Sequence, residues 1–250
     1  MSVDQPLIVG NWKMYGLADS LAEACKVAHA LADRPSRARV GLCPPATLIE
    51  RMARALAGSV VIVGGQDNHM EEDGAFTGDI SATMLADAGA KLVIIAHSER
   101  RVCYGESDAL AAAKAQAAAM AGLEPIVCVG ETLVERQSGR ALEVVRSQVF
   151  GSLPDYLKGR PFALAYEPLW AIGTDMTPTV DEIVQTHTAL RQAMVERLGE
   201  AGKRAPILYG GSVNPKNAHE ILHAHEVGGA LVGRASLRGE DFLAIIRAID

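Results

Sequence analysis

Short apolar runs recur along the chain at Leu7–Val9, Val40–Leu42, Val60–Val63, Leu92–Ala96, Ile126–Val129, Ala163–Tyr166, Ile207–Tyr209 and Ala230–Val232. Several lack strict alternation of apolar and polar positions, the pattern of parallel strands buried on both faces. Amphipathic segments lie between them. In Val180–Leu198 the residues Ile183, Val184, Leu190, Met194 and Leu198 keep helical spacing, which leaves one apolar stripe to face a sheet. Four Ser/Thr-x-x-Glu patterns (Ser20 to Glu23, Thr47 to Glu50, Thr132 to Glu135, Thr179 to Glu182) predict capping boxes, in which hydroxyl and carboxylate satisfy the first free N–H groups of a helix. Gly58, Gly89, Gly122 and Gly199 stand where those helices should stop. The alanine-rich stretch Ala109–Ala121, interrupted by Lys114 and Gln116, reads as a covered helix.

Eight strand–helix repeats with helix-length crossovers imply a parallel sheet. At 250 residues the expected architecture is an α/β fold, a closed (β/α)8 barrel forming one domain over residues 1–250. No Pro/Gly/Ser-rich linker or composition shift marks a boundary. A doubly wound open sheet competes, but Val9-Gly10-Asn11-Trp12-Lys13 places an indole and a cation where a dinucleotide's pyrophosphate needs bare backbone.

In a barrel the carboxyl ends of the strands form one face, so residues that follow the apolar runs converge there: Asn11, Lys13, His97, Glu167, Gly211 and Gly233. Glu167 ends a run and is followed by Pro168, which stiffens the turn, and by a small-residue tip at Gly173 and Thr174. Glu167 and His97 are the acid–base candidates in the set, and Lys13 and Asn11 suit developing negative charge on oxygen, as in an enediolate. The helical turn expected at Ser98–Val102 would favour neutral imidazole at His97. Gly211, Ser212 and Gly233 follow the seventh and eighth runs, where barrels bind phosphate through backbone N–H groups. Taken singly, His97 reads as a core or interface histidine, Lys13 as a surface lysine and Gly210-Gly211 as a turn; the combination favours chemistry.

Composition narrows the partners. A net charge of −6 and a pI near 5.7 offer no basic face to nucleic acid, so an anionic substrate needs a locally positive site. The residues before Leu7 carry no basic stretch, and the apolar run after them is too short for a signal peptide or a span, so no membrane partner is expected. Cys25, Cys43, Cys103 and Cys128 lie far apart, which suggests free thiols in a reducing cytoplasm rather than a disulfide framework or zinc site. His219, His223 and His225 read as a solvated helix face. The chemistry calls for no metal and no cofactor.

Five motifs carry a resemblance: Gly10-Asn11-Trp12-Lys13-Met14, Gly74-Ala75-Phe76-Thr77-Gly78-Asp79-Ile80-Ser81, Ala96-His97-Ser98-Glu99-Arg100-Arg101, Tyr166-Glu167-Pro168-Leu169-Trp170-Ala171-Ile172-Gly173-Thr174 and Tyr209-Gly210-Gly211-Ser212-Val213. In these, and in their order, the chain resembles the triosephosphate isomerase family from end to end. The resemblance implies a cofactor-free isomerase that interconverts dihydroxyacetone phosphate and D-glyceraldehyde 3-phosphate. It implies that Glu167 moves a proton between C1 and C2, that His97 polarises the carbonyl oxygens, and that Asn11 and Lys13 stabilise charge. Gly173, Gly211, Ser212, Gly233 and the position of Arg234 would hold the phosphate. Pro168, Leu169, Trp170, Ala171, Ile172 and Thr174 would belong to a closing lid, the loop from Pro168 to Thr177. A homodimer is implied, with the loop around Thr77 inserted beside the partner's Asn11 and the partner's His97. Two features depart from the family's pattern: Asp175-Met176-Thr177-Pro178 at the lid's far end, and Gly233-Arg234 where many relatives have two glycines. At Arg234 two readings stand, a backbone N–H toward the phosphate with the side chain outward, or a direct guanidinium clamp. An isomerase of four-carbon sugar phosphates and a non-catalytic barrel are the alternative functions.

Overall fold

The computed structural model describes residues 5–172 and 176–250. Among them, eight strands pair in sequence order and close into a barrel: β1 (Leu7–Asn11), β2 (Arg39–Cys43), β3 (Val61–Gly65), β4 (Leu92–Ile95), β5 (Glu124–Val129), β6 (Ala163–Tyr166), β7 (Ile207–Tyr209) and β8 (Gly229–Val232). All neighbours are parallel, and β8 closes on β1 with Leu7 opposite Gly229 and Gly10 opposite Val232. No described helix is long and apolar enough to cross a membrane.

The missing alternation in the strands has a direct cause. Leu7, Val9, Leu92, Ile94, Ile126 and Leu208 point into the barrel and pack on one another. Their neighbours Ile8, Val93, Ile95, Val127 and Ile207 point outward into a larger core shared with the helices. Both faces are therefore apolar, each fully buried aliphatic side chain contributing about 1.5–3 kcal/mol.

Strand limits differ from the apolar runs where a polar or small residue continues the ladder. β1 runs on to Asn11, β2 starts at Arg39, β5 starts at Glu124, and β3 drops Val60 and ends on Gly64 and Gly65. A Cβ on Gly64 would lie 2.2 Å from Leu92 Cδ1, so the absent side chain is a packing requirement of β4. β4 stops one residue early because Ala96 turns left-handed, at φ 55°.

Two of the four capping boxes form. Thr132 accepts from the Glu135 N–H at 3.3 Å while Glu135 accepts from the Thr132 N–H at 2.8 Å, and Thr179 and Glu182 do the same at 3.2 and 2.7 Å. Ser20 instead has helical dihedrals, and Glu23 turns to Lys26 and to the Gly239 N–H. Thr47 lies inside the helix Ala46–Ala55, whose start is set by Pro45. Pro45 offers no side-chain acceptor. All four stop-signal glycines have positive φ. The alanine-rich helix spans Asp108–Met120, and Lys114 within it is buried against Asp67 (2.8 Å) and Glu106 (2.6 Å). His219, His223 and His225 are exposed, and all four cysteines are free.

Candidate active site

The chain just past each strand sets the site. Asn11, last residue of β1, accepts the Lys13 N–H on Oδ1 at 2.9 Å and so holds Lys13 in its left-handed conformation, φ 52°. Its amide N–H groups find no acceptor among the described residues, and Lys13 Nζ lies 2.6 Å from Glu99 Oε1. Past β4, the turn at Ala96 brings His97 to the N-terminus of the helix Ser98–Tyr104, where Nδ1 accepts the Glu99 N–H at 3.2 Å. That bond puts the imidazole's own proton on Nε2. Nε2 lies 2.8 Å from Oε1 of Glu167, which follows β6.

Glu167 is 1% exposed; Oε2 accepts the Ser98 N–H at 2.8 Å and Oε1 the Ser98 hydroxyl at 3.3 Å. Its backbone is fixed by the next strand over. The Glu167 N–H donates to Val129 O at 2.8 Å, and a Cβ at Gly130 would fall 1.7 Å from Glu167 O. Burial pushes the Glu167 carboxyl up, but His97, the Ser98 N–H and Lys13 together outweigh it and hold the group below its ordinary range. Burial pulls His97 down, and Glu167 outweighs that and raises it. The upward pull on His97 therefore belongs to the contact with Glu167. Moving the carboxylate away leaves the Glu99 N–H on Nδ1, which favours neutral imidazole.

These groups open on a cleft of about 880 Å³ whose lining includes Asn11, Lys13, His97, Glu167, Gly211, Ser212, Gly233 and Arg234. On its far side the N–H groups of Ser212, Gly233 and Arg234 have no acceptor among the described residues. Asn217 shapes the first loop, donating to Ser212 O at 3.0 Å and accepting the Asn214 N–H at 2.8 Å. Ser236 shapes the second: its hydroxyl donates to Gly233 O at 2.7 Å, and Trp12 Nε1 donates to Ser236 O at 3.1 Å. Unpaired N–H groups converging beside a lysine suit an oxyanion.

The segment read as a lid begins at Pro168 and makes a 3-10 turn over Leu169–Ala171; Ile172 lines the cleft. It is tied to Glu131, a fully buried carboxylate absent from the sequence reading. Glu131 Oε1 accepts from Arg136 Nε (2.7 Å), Trp170 Nε1 (2.8 Å) and the Tyr166 hydroxyl (3.1 Å). Gly173 and Thr174 lie outside the described residues. Thr77 is exposed in the loop between β3 and the helix Ala82–Asp87, and this chain does not bring it to the cleft. Gly130 and Glu131 were missed because their contacts with Tyr166, Glu167 and Trp170 arise only from strand pairing, and Asn217 and Ser236 because their local loop bonds to Ser212, Asn214 and Gly233 read as ordinary turn contacts; the turn residues Gly130 and Asn217 were the available signals. A smaller hollow of about 380 Å³, lined by Arg39, Glu124, Arg160 and Arg204, holds no acid–base pair.

The fold and cleft define a (β/α)8-barrel enzyme. A family model described as triosephosphate isomerase matches residues 6–249. A triosephosphate isomerase of Caulobacter vibrioides is 58% identical over 98% of this chain and 97% of its own length. One from Afipia carboxidovorans is 52% identical over 98% and 97%. The crystal structure of triosephosphate isomerase from Bartonella henselae superposes with a TM-score of 0.91 at 44% identity, covering 98% of both chains. The chain belongs to the triosephosphate isomerase family, and it is an isomerase.

Proposed function

We propose that the enzyme interconverts dihydroxyacetone phosphate and D-glyceraldehyde 3-phosphate through an enediolate, with Glu167 as base and His97 as electrophile. The observation that carries this is the buried Glu167–His97 pair, 2.8 Å apart, facing unpaired N–H groups across one cleft. The phosphate would lie on the N–H groups of Gly211, Ser212, Gly233 and Arg234, with Gly173 added from the lid. Glu167 leaves Ser98 and takes a proton from C1. The electrons form the C1–C2 double bond, and the carbonyl oxygen becomes an enediolate oxygen that receives the His97 Nε2 proton and the Asn11 and Lys13 donors. His97 Nε2 then recovers a proton from the C1 hydroxyl as C1 becomes the aldehyde carbon, and Glu167 returns its proton to C2, which leaves both groups as they began. No step requires metal or cofactor. The lid, Pro168 to Thr177, would exclude water, and its tie to Glu131 fixes one end.

A homodimer is the assembly this surface supports. Met14, Leu17, Phe76, Val102 and Tyr104 are exposed large apolar residues, all on segments that leave the carboxyl ends of β1, β3 and β4, as does Thr77. The free thiols suit a cytoplasmic enzyme. Incubation with dihydroxyacetone phosphate in deuterated water tests the chemistry: deuterium at C1 together with aldose formation is expected. Turnover restricted to four-carbon ketose phosphates, or none by the folded protein, would overturn it.

A further inference from the structure

Arg234 lines the mouth of the cleft as an exposed guanidinium directly after Gly233. Three cationic side chains border that cleft: Lys13, Arg234 and Arg238. Lys13 is neutralised by Glu99 at 2.6 Å. Arg238 faces Asp241 at 3.6 Å and Glu240 at 3.8 Å. Arg234 is exposed and has no ion pair or side-chain hydrogen bond among the described residues. In a chain of net charge −6, where most arginines are held by a carboxylate or carbonyl, an unpaired guanidinium at a cleft mouth marks a place for an external anion.

Its position relative to the phosphate cradle follows from the backbone. Arg234 opens a 3-10 turn (Arg234–Leu237) directly after Gly233, and a Cβ on Gly233 would stand 3.6 Å from Lys13 Cε. The Arg234 backbone N–H thus belongs with the inner cradle, while the side chain starts beside it and ends in solvent. The cleft, at about 880 Å³, is far larger than a three-carbon phosphate, so a ligand anchored in the cradle has room to extend toward the rim.

We propose that the Arg234 side chain forms a second anion subsite at the rim, so that the cleft prefers ligands with two anionic groups, one in the N–H cradle and one on the guanidinium, over ligands with one. The inference deepens the proposed function, since it takes the cradle as the inner anchor. Such bis-anionic molecules act as competitive ligands of the isomerase. Substrates with a single phosphate use the cradle alone.

The test uses α,ω-alkanediol bisphosphates with two, four and six carbons, each paired with the matching monophosphate. Affinities are measured by calorimetry and as inhibition constants on the full-length wild type, Arg234→Gln and Arg234→Lys. The preference for bisphosphate over monophosphate within each protein is the readout, so each variant carries its own control for folding and for the cradle. In wild type at least one chain length should bind tenfold or more tightly than its monophosphate. Arg234→Gln should cut that ratio to below about threefold and Arg234→Lys should retain part of it, because lysine keeps charge but not the planar fork. Raising ionic strength should weaken the bisphosphate more than the monophosphate. A wild-type ratio near one, or a ratio that survives Arg234→Gln, overturns the subsite. Calorimetry separates this from the reaction itself: a subsite that binds bisphosphates in a protein with no triose phosphate turnover would sink the proposed function and leave the subsite standing.

Discussion

His187 ties the pH dependence of stability to the scaffold behind Glu167. It is fully buried on the helix Val180–Leu198, its Nδ1 lies 3.1 Å from Glu226 O, and its Nε2 has no partner among the described residues. The ring packs edge-on against Tyr166 at 5.7 Å, one residue before Glu167. Burial, with no acceptor at Nε2 for a second proton, lowers its pKa from 6.5 to about 4. A histidine depressed in the folded state binds protons more readily when unfolded. Its stabilising contribution is therefore complete above the unfolded value and is lost as pH falls toward the folded one. At 1.36 kcal/mol per pH unit, the window from 6.5 to about 4 corresponds to about 3 kcal/mol, of which about 2 is gone by pH 5. His187→Gln can keep a donor for Glu226 O and removes the titration. Urea unfolding of wild type and variant between pH 4.5 and 8 isolates the effect from the carboxylates common to both. The difference in unfolding free energy, wild type minus variant, should fall by about 2 kcal/mol from pH 7 to pH 5. A difference that stays flat, or grows as pH falls, refutes the assignment of a neutral, depressed histidine.

Glu167→Gln keeps the shape and removes the base, so turnover should fall by a factor on the order of 100 or more, with loss of solvent exchange at C1; near-native exchange would remove Glu167 from its role. Thr179→Ala should cost about 1 kcal/mol in urea unfolding, as a working cap does, whereas Thr47→Ala should cost a few tenths at most. Equal costs would mean that the local hydrogen bonds do not decide the caps. Replacing Phe76-Thr77-Gly78 with a charged segment should give folded monomers of low activity; light scattering that finds the wild type itself monomeric and active at assay concentration would end the dimer proposal.

The barrel was legible because its signal is redundant. Every strand repeats the same doubly apolar run, and an error of one or two residues at Asn11, Glu124 or Gly65 leaves the topology untouched. The convergence of Asn11, Lys13, His97 and Glu167 followed from the topology alone, since each stands just past a strand. Capping was half legible: Thr-x-x-Glu is necessary for the box, but Pro45 and the turn before Leu21 decide where a helix starts, and the pattern does not encode that. The Glu131 hub was not legible. Arg136 is near it in sequence, but the donors Tyr166 and Trp170 reach it only through closure of β5 against β6. Lys114 was read as a break in an alanine run, and the acid cluster that receives it is likewise assembled by tertiary contact.

The contact between Gly130 and the Glu167 carbonyl also bears on how this enzyme could be diversified. The 1.7 Å separation from any Cβ at 130 means that the proposed base, Glu167, is backed by a residue with no side chain of its own. A library that randomises only the other cleft-lining side chains would keep this support and sample new substrates with Glu167 fixed in place. A library that includes position 130 would lose most of its members before any specificity could be selected, and no replacement at 167 would rescue them, because the clash is with backbone. Mutational tolerance in this barrel is thus uneven over a few ångströms, with exposed rim positions such as Arg234 where substitution meets no backbone clash and a nearly immutable glycine behind Glu167.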